Sequence, residues 1–127
     1  MLAFAITNTI FDEDLGTAFL LLPYQFLKDN NIDENKLSSV TAEFSSTVAI
    51  VVKGYPRGFI IYEKGPGIIK ISARGSSYGN KINLPKVLAG LGGRSGGHFN
   101  ACGATIHGDF NQVKNKLLQE LKKYLKI

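Results

Sequence analysis

The chain has 127 residues, 44% of them hydrophobic, and a formal net charge of +5. That length fits one domain with room for a core, and the positive surplus favours a polyanionic partner over a neutral one. A lone cysteine, Cys102, excludes an internal disulfide framework and fits a reducing cytoplasm.

Leu2 to Thr9 has the short apolar pattern of a buried strand, closed by Asn8-Thr9. It lacks the basic start of a signal peptide and is too short to span a bilayer, so no membrane partner is expected. Asp12 or Asp14 can cap a following helix, in which Leu15, Phe19, Leu22 and Phe26 would share one face. Pro23 marks a kink or a second helix start there, and Asn30-Asn31 ends the element. Asp33-Glu34-Asn35 opens a short helix through about Phe44.

Thr47 to Val52 is expected as a central strand, and Lys53-Gly54-Tyr55-Pro56 as a turn. Gly58 to Glu63 forms the next strand, and Gly65-Pro66-Gly67 a second tight turn. Ile68 to Ala73 alternates apolar and polar residues, as a half-buried strand does. Ser76 to Asn80 is loop. Leu84 to Leu91 is a short helix, with Asn83 as its cap and Pro85 in its first turn. A glycine-rich loop precedes a strand from about Cys102 to Ile106. Asp109 caps a last helix whose Val113, Leu117, Leu121 and Leu125 repeat every four residues as its buried face. The expected fold is a single α/β domain: a mixed sheet of about five strands flanked by helices.

The chemistry concentrates between Leu91 and Ile106, LGGRSGGHFNACGATI. Gly92, Gly93, Gly96 and Gly97 can bring backbone N–H groups close to a phosphate, or can simply form a turn feeding the next strand. His98, the titratable group at the end of the run, can bond a phosphate oxygen or serve as an ordinary hydrogen-bonded residue. Arg94 either adds a phosphate contact or solvates the loop. Asn100 can meet a base edge, although a turn role suits it better. Phe99 can stack on a base or pack inward. Upstream, Arg74 ends a strand with the planar fork that suits phosphate, and Ser72 stands two residues before it. Cys102 has no basic partner fixed by the sequence and is assigned to packing. His107 stands near Asp109, where pairing or capping suits it. Lys114, Lys116, Lys122, Lys123 and Lys126 make the last helix basic, an ordinary solvated face that can also hold a nucleic-acid backbone.

The glycine run and the small residues after it resemble the GGGH…AAG signature of the DHH-associated domain. That domain is the C-terminal, substrate-binding half of the DHH phosphoesterase superfamily, which includes RecJ-type exonucleases, nanoRNases, pAp phosphatases and cyclic-dinucleotide phosphodiesterases. Ile69-Lys70-Ile71-Ser72-Ala73-Arg74 is similar to the family's strand ending in Ser-x-Arg, and Asn83-Leu84 to the start of the intervening helix. The chain departs from the pattern where Arg94 and Ser95 split the glycines. It departs also at Phe99 for a usual proline, Cys102 for an alanine and Gly75 for a common serine. The resemblance implies that Arg74, Ser72, Arg94, Gly96, Gly97, His98 and Asn100 contact substrate, with His98 facing a phosphate in the cleft between two halves.

The same resemblance places catalysis on a separate domain, whose Asp and Asp-His-His motifs hold two divalent, manganese-like metals. No Asp-His-His occurs here, and the only histidines are His98 and His107. The chain is therefore expected to hold no catalytic residues and no cofactor of its own. It would bind a nucleotide or short oligonucleotide beside a catalytic DHH domain in cis or trans. A second reading is a stand-alone RNA-binding module, related to the C-terminal domain of alanyl-tRNA synthetases, that meets structured RNA through the basic last helix. A third is a dimerisation or regulatory domain, a homodimer, that binds a small nucleotide.

Overall fold

A computed structural model of the protein describes residues 8–44 and 55–127. The strand expected over Thr47–Val52, and all but the end of that over Leu2–Thr9, lie outside these residues. Strand β1 (Thr9–Asp12) turns into β2 (Thr17–Leu22), followed by helices α1 (Tyr24–Asp29) and α2 (Glu34–Glu43). The hairpin β3 (Arg57–Gly65) and β4 (Ile68–Gly75) leads to α3 (Leu84–Ala89). A second hairpin, β5 (Arg94–His98) and β6 (Ala101–His107), leads to α4 (Phe110–Leu125). The six strands form one sheet in the order β1-β2-β3-β4-β6-β5. Its β2–β3 pair is parallel and its other pairs are antiparallel, so the sheet is mixed.

Alternation along the strands divides the apolar residues between two layers. Phe59, Ile61, Ile69, Ile71, Ala73, Cys102, Ala104 and Ile106 face one way, onto Val87 and Leu88 of α3 and Val113, Leu117 and Leu121 of α4. Ala18, Leu20, Leu22 and Ile60 face the other way, onto Leu27 of α1 and Leu37 and Val40 of α2. The second layer thus rests on β2 and β3, while among the described residues the same face of β4, β6 and β5 carries no helical cluster.

Helix entries follow the capping rule. Asp33 accepts from Lys36 N at 2.9 Å, Asn83 from Lys86 N at 3.2 Å and Asp109 from Gln112 N at 3.1 Å. Pro23 stands at the start of α1, whose Tyr24 N donates instead to Glu63 Oε1 at 3.0 Å.

Two expectations are corrected. The helix expected after Asp12 or Asp14 does not form. Asp12 ends β1 and accepts from Leu15 N at 3.1 Å, Gly16 takes φ +56°, and Thr17–Leu22 is a strand. The reason is burial on both faces: Phe19 enters one layer and Ala18, Leu20 and Leu22 the other. A continuous apolar run of this kind contains a helical spacing by accident. The glycine run is also not all loop. Arg94–His98 pairs with β6 as an edge strand, joined by Phe99-Asn100, which brings the described strands to six.

One buried polar network ties the sheet together at the end where β4 finishes. Arg57 is 5% exposed and Asn80 3%. Arg57 Nε donates to Asn80 Oδ1 at 2.9 Å, and its Nη1 to Leu15 O at 2.8 Å in the β1–β2 turn. Asn80 Nδ2 donates to Ile82 O at 2.9 Å and to Asn100 Oδ1 at 2.7 Å. Gly75 N donates to Asn100 O at 2.9 Å. A Cβ on Gly75 would stand 2.5 Å from Asn100 Oδ1 and 2.7 Å from Asn80 Nδ2, which explains glycine where a serine is otherwise common.

Removing Asn80 leaves Arg57 Nε and Asn100 Oδ1 without this partner inside the protein. Asn80→Ala is expected to lower unfolding stability by about 2–3 kcal/mol, measured by urea denaturation. A loss below about 0.5 kcal/mol, the range of ordinary surface changes, would contradict the role given to the network.

Candidate functional site

Residues paired in register share a face of the sheet, so the register of β6 assembles the site. Arg74 on β4 pairs with Ala101 on β6, and His98 on β5 pairs with the same Ala101. Ser72, Gly103 and Gly96 form the next rung on that face, and Lys70, Thr105 and Arg94 the one after. Each rung crosses two strand spacings, about 10 Å. The face is the one that α1 and α2 leave uncovered beyond β3.

The local sequence explains why it stays open. The polar positions Lys70, Ser72 and Arg74 alternate with buried Ile69, Ile71 and Ala73. On β6, Cys102, Ala104 and Ile106 are buried while Ala101, Gly103 and Thr105 are half-buried on the other side. No large side chain stands on the middle rung. A Cβ added to Gly96 would meet nothing within 4 Å, whereas one on Gly103 would come 3.3 Å from Ile71 O.

A groove of about 1370 Å³ runs between this face and α2. Lys70, Ser72, Arg74, Gly103 and Thr105 form its floor, Ser38 and Thr41 part of the facing wall. Lys28 and Lys64 add positive charge, and Asp33 and Glu34 add negative charge at α2's start. A smaller recess of about 530 Å³ continues over the outer strands and is lined by Lys70, Arg94, Gly96, Gly103, Thr105 and His107.

The residues singled out in the sequence fall into distinct places. Arg74 is half-buried, and its Nη1 donates to Ala73 O at 3.0 Å. His98 is exposed on the edge strand and lines neither cavity. Ser72 lies in the groove floor, Gly96 and Arg94 in the recess. Gly97 takes φ +136°, and a Cβ there would stand 2.5 Å from Ala101 O. Gly92 takes φ +85°, and a Cβ on Gly93 would collide with Thr105 O and the Ile106 side chain. These three glycines are needed by the backbone path of the hairpin, and Gly96 alone of the run leaves free space. Asn100 belongs to the buried network described above. Phe99 is 43% exposed at the hairpin turn. Asp109 is the cap of α4, while His107 shares the open face with Thr105. Lys70 and Thr105 went unnoticed in the sequence, although the period-two pattern from Ile68 to Ala73 puts Lys70 on the face of Ser72 and Arg74. Lys70 Nζ donates to Thr105 Oγ1 at 2.8 Å.

No group of three or more His, Cys, Asp or Glu among the described residues could hold a metal ion, so these residues do not fit a two-metal centre. Among them, too, no helix is long and apolar enough to cross a membrane.

A mixed sheet with helices on one face, half-covered on the other, and a cationic glycine-floored groove define a small α/β domain with an open polar face. The chain matches the DHHA1 domain over residues 23–127 and belongs to that family. Among solved structures it is similar to an exopolyphosphatase-related protein from Bacteroides fragilis, at 19% identity and a TM-score of 0.76, covering 97% of this chain and 33% of that one. It is also similar to a pGpG-specific phosphodiesterase from Vibrio cholerae, at 12% identity and a TM-score of 0.62, covering 97% and 38%. The chain thus spans about a third of the length of the solved structures it resembles. No curated protein matches it.

Cys102 lies on the covered face at 6% exposure, and burial pushes its thiol up to about 11 from an ordinary 9.0, with Arg74 pulling weakly the other way. The raised value means that the folded state holds the thiol proton more tightly than the unfolded chain does. The resulting stability is fully present below pH 9 and is lost as the pH climbs towards 11. Folded protein is therefore expected to resist iodoacetamide at pH 8, and Cys102→Ala to flatten the decline in stability above pH 9. Rapid alkylation of the native protein at pH 8 would contradict the packing role.

Proposed function

We propose that this chain is the substrate-holding part of a DHH-type phosphoesterase and grips a nucleotide or short oligonucleotide on the open face of β4, β6 and β5. The observation that carries this reading is the rung on which Ala101 stands opposite both Arg74 and His98. A guanidinium has five N–H donors; the Ala73 carbonyl takes one from Arg74, leaving donors for a phosphate oxygen. The His98 imidazole, across the rung, supplies a further donor at the exposed edge. On the next rung Ser72 contributes a hydroxyl and Gly96 an unobstructed surface. Asn100 acts indirectly: its bonds to Asn80 and Gly75 fix the turn after His98 and the strand end after Arg74.

The division of labour follows from what the groove contains. Its floor offers cations, the hydroxyls of Ser72 and Thr105 and bare backbone, groups that bind and orient a phosphorylated ligand. In this reading a DHH catalytic domain, in cis or in trans, would hold two divalent metals and would supply the hydrolytic chemistry. The residues of this chain position the phosphate and take no part in breaking the bond. The family membership supports this assignment, and the basic surplus of the chain agrees with it.

Calorimetric titration with a 5′-phosphorylated dinucleotide tests the site. Arg74→Ala and His98→Ala are each expected to weaken binding about ten-fold, the loss of one charge-assisted contact. The double change Lys122→Glu with Lys123→Glu, on the exposed side of α4, is expected to leave it unaltered. With manganese added, the chain alone is expected to hydrolyse nothing. Undiminished binding in both site variants, or metal-dependent hydrolysis by the chain itself, would overturn the reading.

A further inference from the structure

We propose that Lys70, Thr105 and Arg94 form a second phosphate-holding position, so that the groove takes a ligand with two well-separated phosphates rather than a mononucleotide. The inference rests on the reading of the open face as a phosphorylated-ligand site. It adds the length and charge pattern of that ligand.

The two cationic rungs have the same construction. Each has one residue of β6 at its centre, a basic residue of β4 on one side and a basic or imidazole residue of β5 on the other. They are four residues apart along all three strands: Lys70 to Arg74, Thr105 to Ala101, Arg94 to His98. Four strand residues span about 13 Å, the scale of a phosphate and the second phosphate beyond it on an extended single strand. The rung between them carries Ser72, Gly103 and Gly96, small enough to leave a flat floor for a sugar or base.

The second rung is held ready. The Lys70 ammonium is fixed by its bond to Thr105 Oγ1 at 2.8 Å. Arg94 is exposed and shares the recess with Lys70, Thr105 and His107. Among the described residues the one ion pair, Lys123 with Glu120 at 3.8 Å, lies elsewhere, so neither Lys70 nor Arg94 is neutralised there. Lys70 and Arg94 stand on β4 and β5 with β6 between them, about 10 Å apart across the rung, and an anion lying between the two cations is attracted by both. Arg94 is also one of the two residues that split the glycine run, so the break in the motif supplies the outer cation of this rung.

The test titrates the protein with a 5′-mononucleotide and with a 5′-phosphorylated trinucleotide, using the original chain and the variants Arg94→Ala, Arg74→Ala and Lys122→Ala. The original chain is expected to bind the trinucleotide at least about ten-fold more tightly, as a second charge-assisted contact allows. Arg94→Ala should erase most of that advantage and leave mononucleotide binding within about two-fold. Arg74→Ala should weaken both ligands. Lys122→Ala removes an equal charge from the opposite layer and should change neither, which separates a local position from general attraction. Equal affinity for the two ligands, or an Arg94→Ala variant that keeps the trinucleotide advantage, would overturn the second position while sparing the first. Failure of the original chain to bind either ligand would overturn both.

Discussion

The geometry of the candidate site depends on β6 lying between β4 and β5 in one register. That pairing sets Arg74 and His98 opposite the same alanine and repeats the arrangement at Thr105. A shift of one residue would turn Arg74 or His98 towards α3 and α4 and bring buried alanine or isoleucine positions into the groove. The register is secured by what the other face buries. Ile69, Ile71 and Ala73 on β4 and Cys102, Ala104 and Ile106 on β6 pack onto α3 and α4. The apolar core and the polar site are therefore two sides of the same alternation.

The end of the sheet near Arg74 has a separate constraint. Arg57 reaches back to the β1–β2 turn and across to Asn80, which reaches Asn100 in the β5–β6 turn. Two loops distant in sequence are thereby fixed to each other just beyond Arg74 and His98. Burial lowers the pKa of Arg57, and carbonyl and amide oxygens accept from its N–H groups. Such a network stabilises only while each member keeps its partners. It gives Gly75 a steric reason and Asn100 a structural one.

Much of this was legible in the residues. Asn83, Asp33 and Asp109 announced three helix starts because a short side-chain acceptor before an apolar period has few other uses. The alternation from Ile68 to Ala73 and the four-residue stripe of α4 were equally plain. The helix expected after Asp12 failed because Thr17–Leu22 is buried on both sides, and apolar runs of that kind have no distinctive period. Density of glycine hid the edge strand, since Gly96 and Gly97 carry no side chains to alternate. Arg74 and His98 were visible through a motif, but their shared rung depends on pairing between segments far apart in sequence. Lys70 was missed because it precedes the Ser-x-Arg end of its strand, and only the register with Thr105 and Arg94 gives it partners on the outer strands.

The most direct measurement is the map of backbone amide shifts, by two-dimensional nuclear magnetic resonance, as a 5′-phosphorylated dinucleotide is added. The account predicts changes concentrated at Ser72, Arg74, Gly96, His98, Ala101 and Gly103, with α4 beyond its first turn undisturbed. Changes confined to α4, with those six amides unmoved, would contradict it.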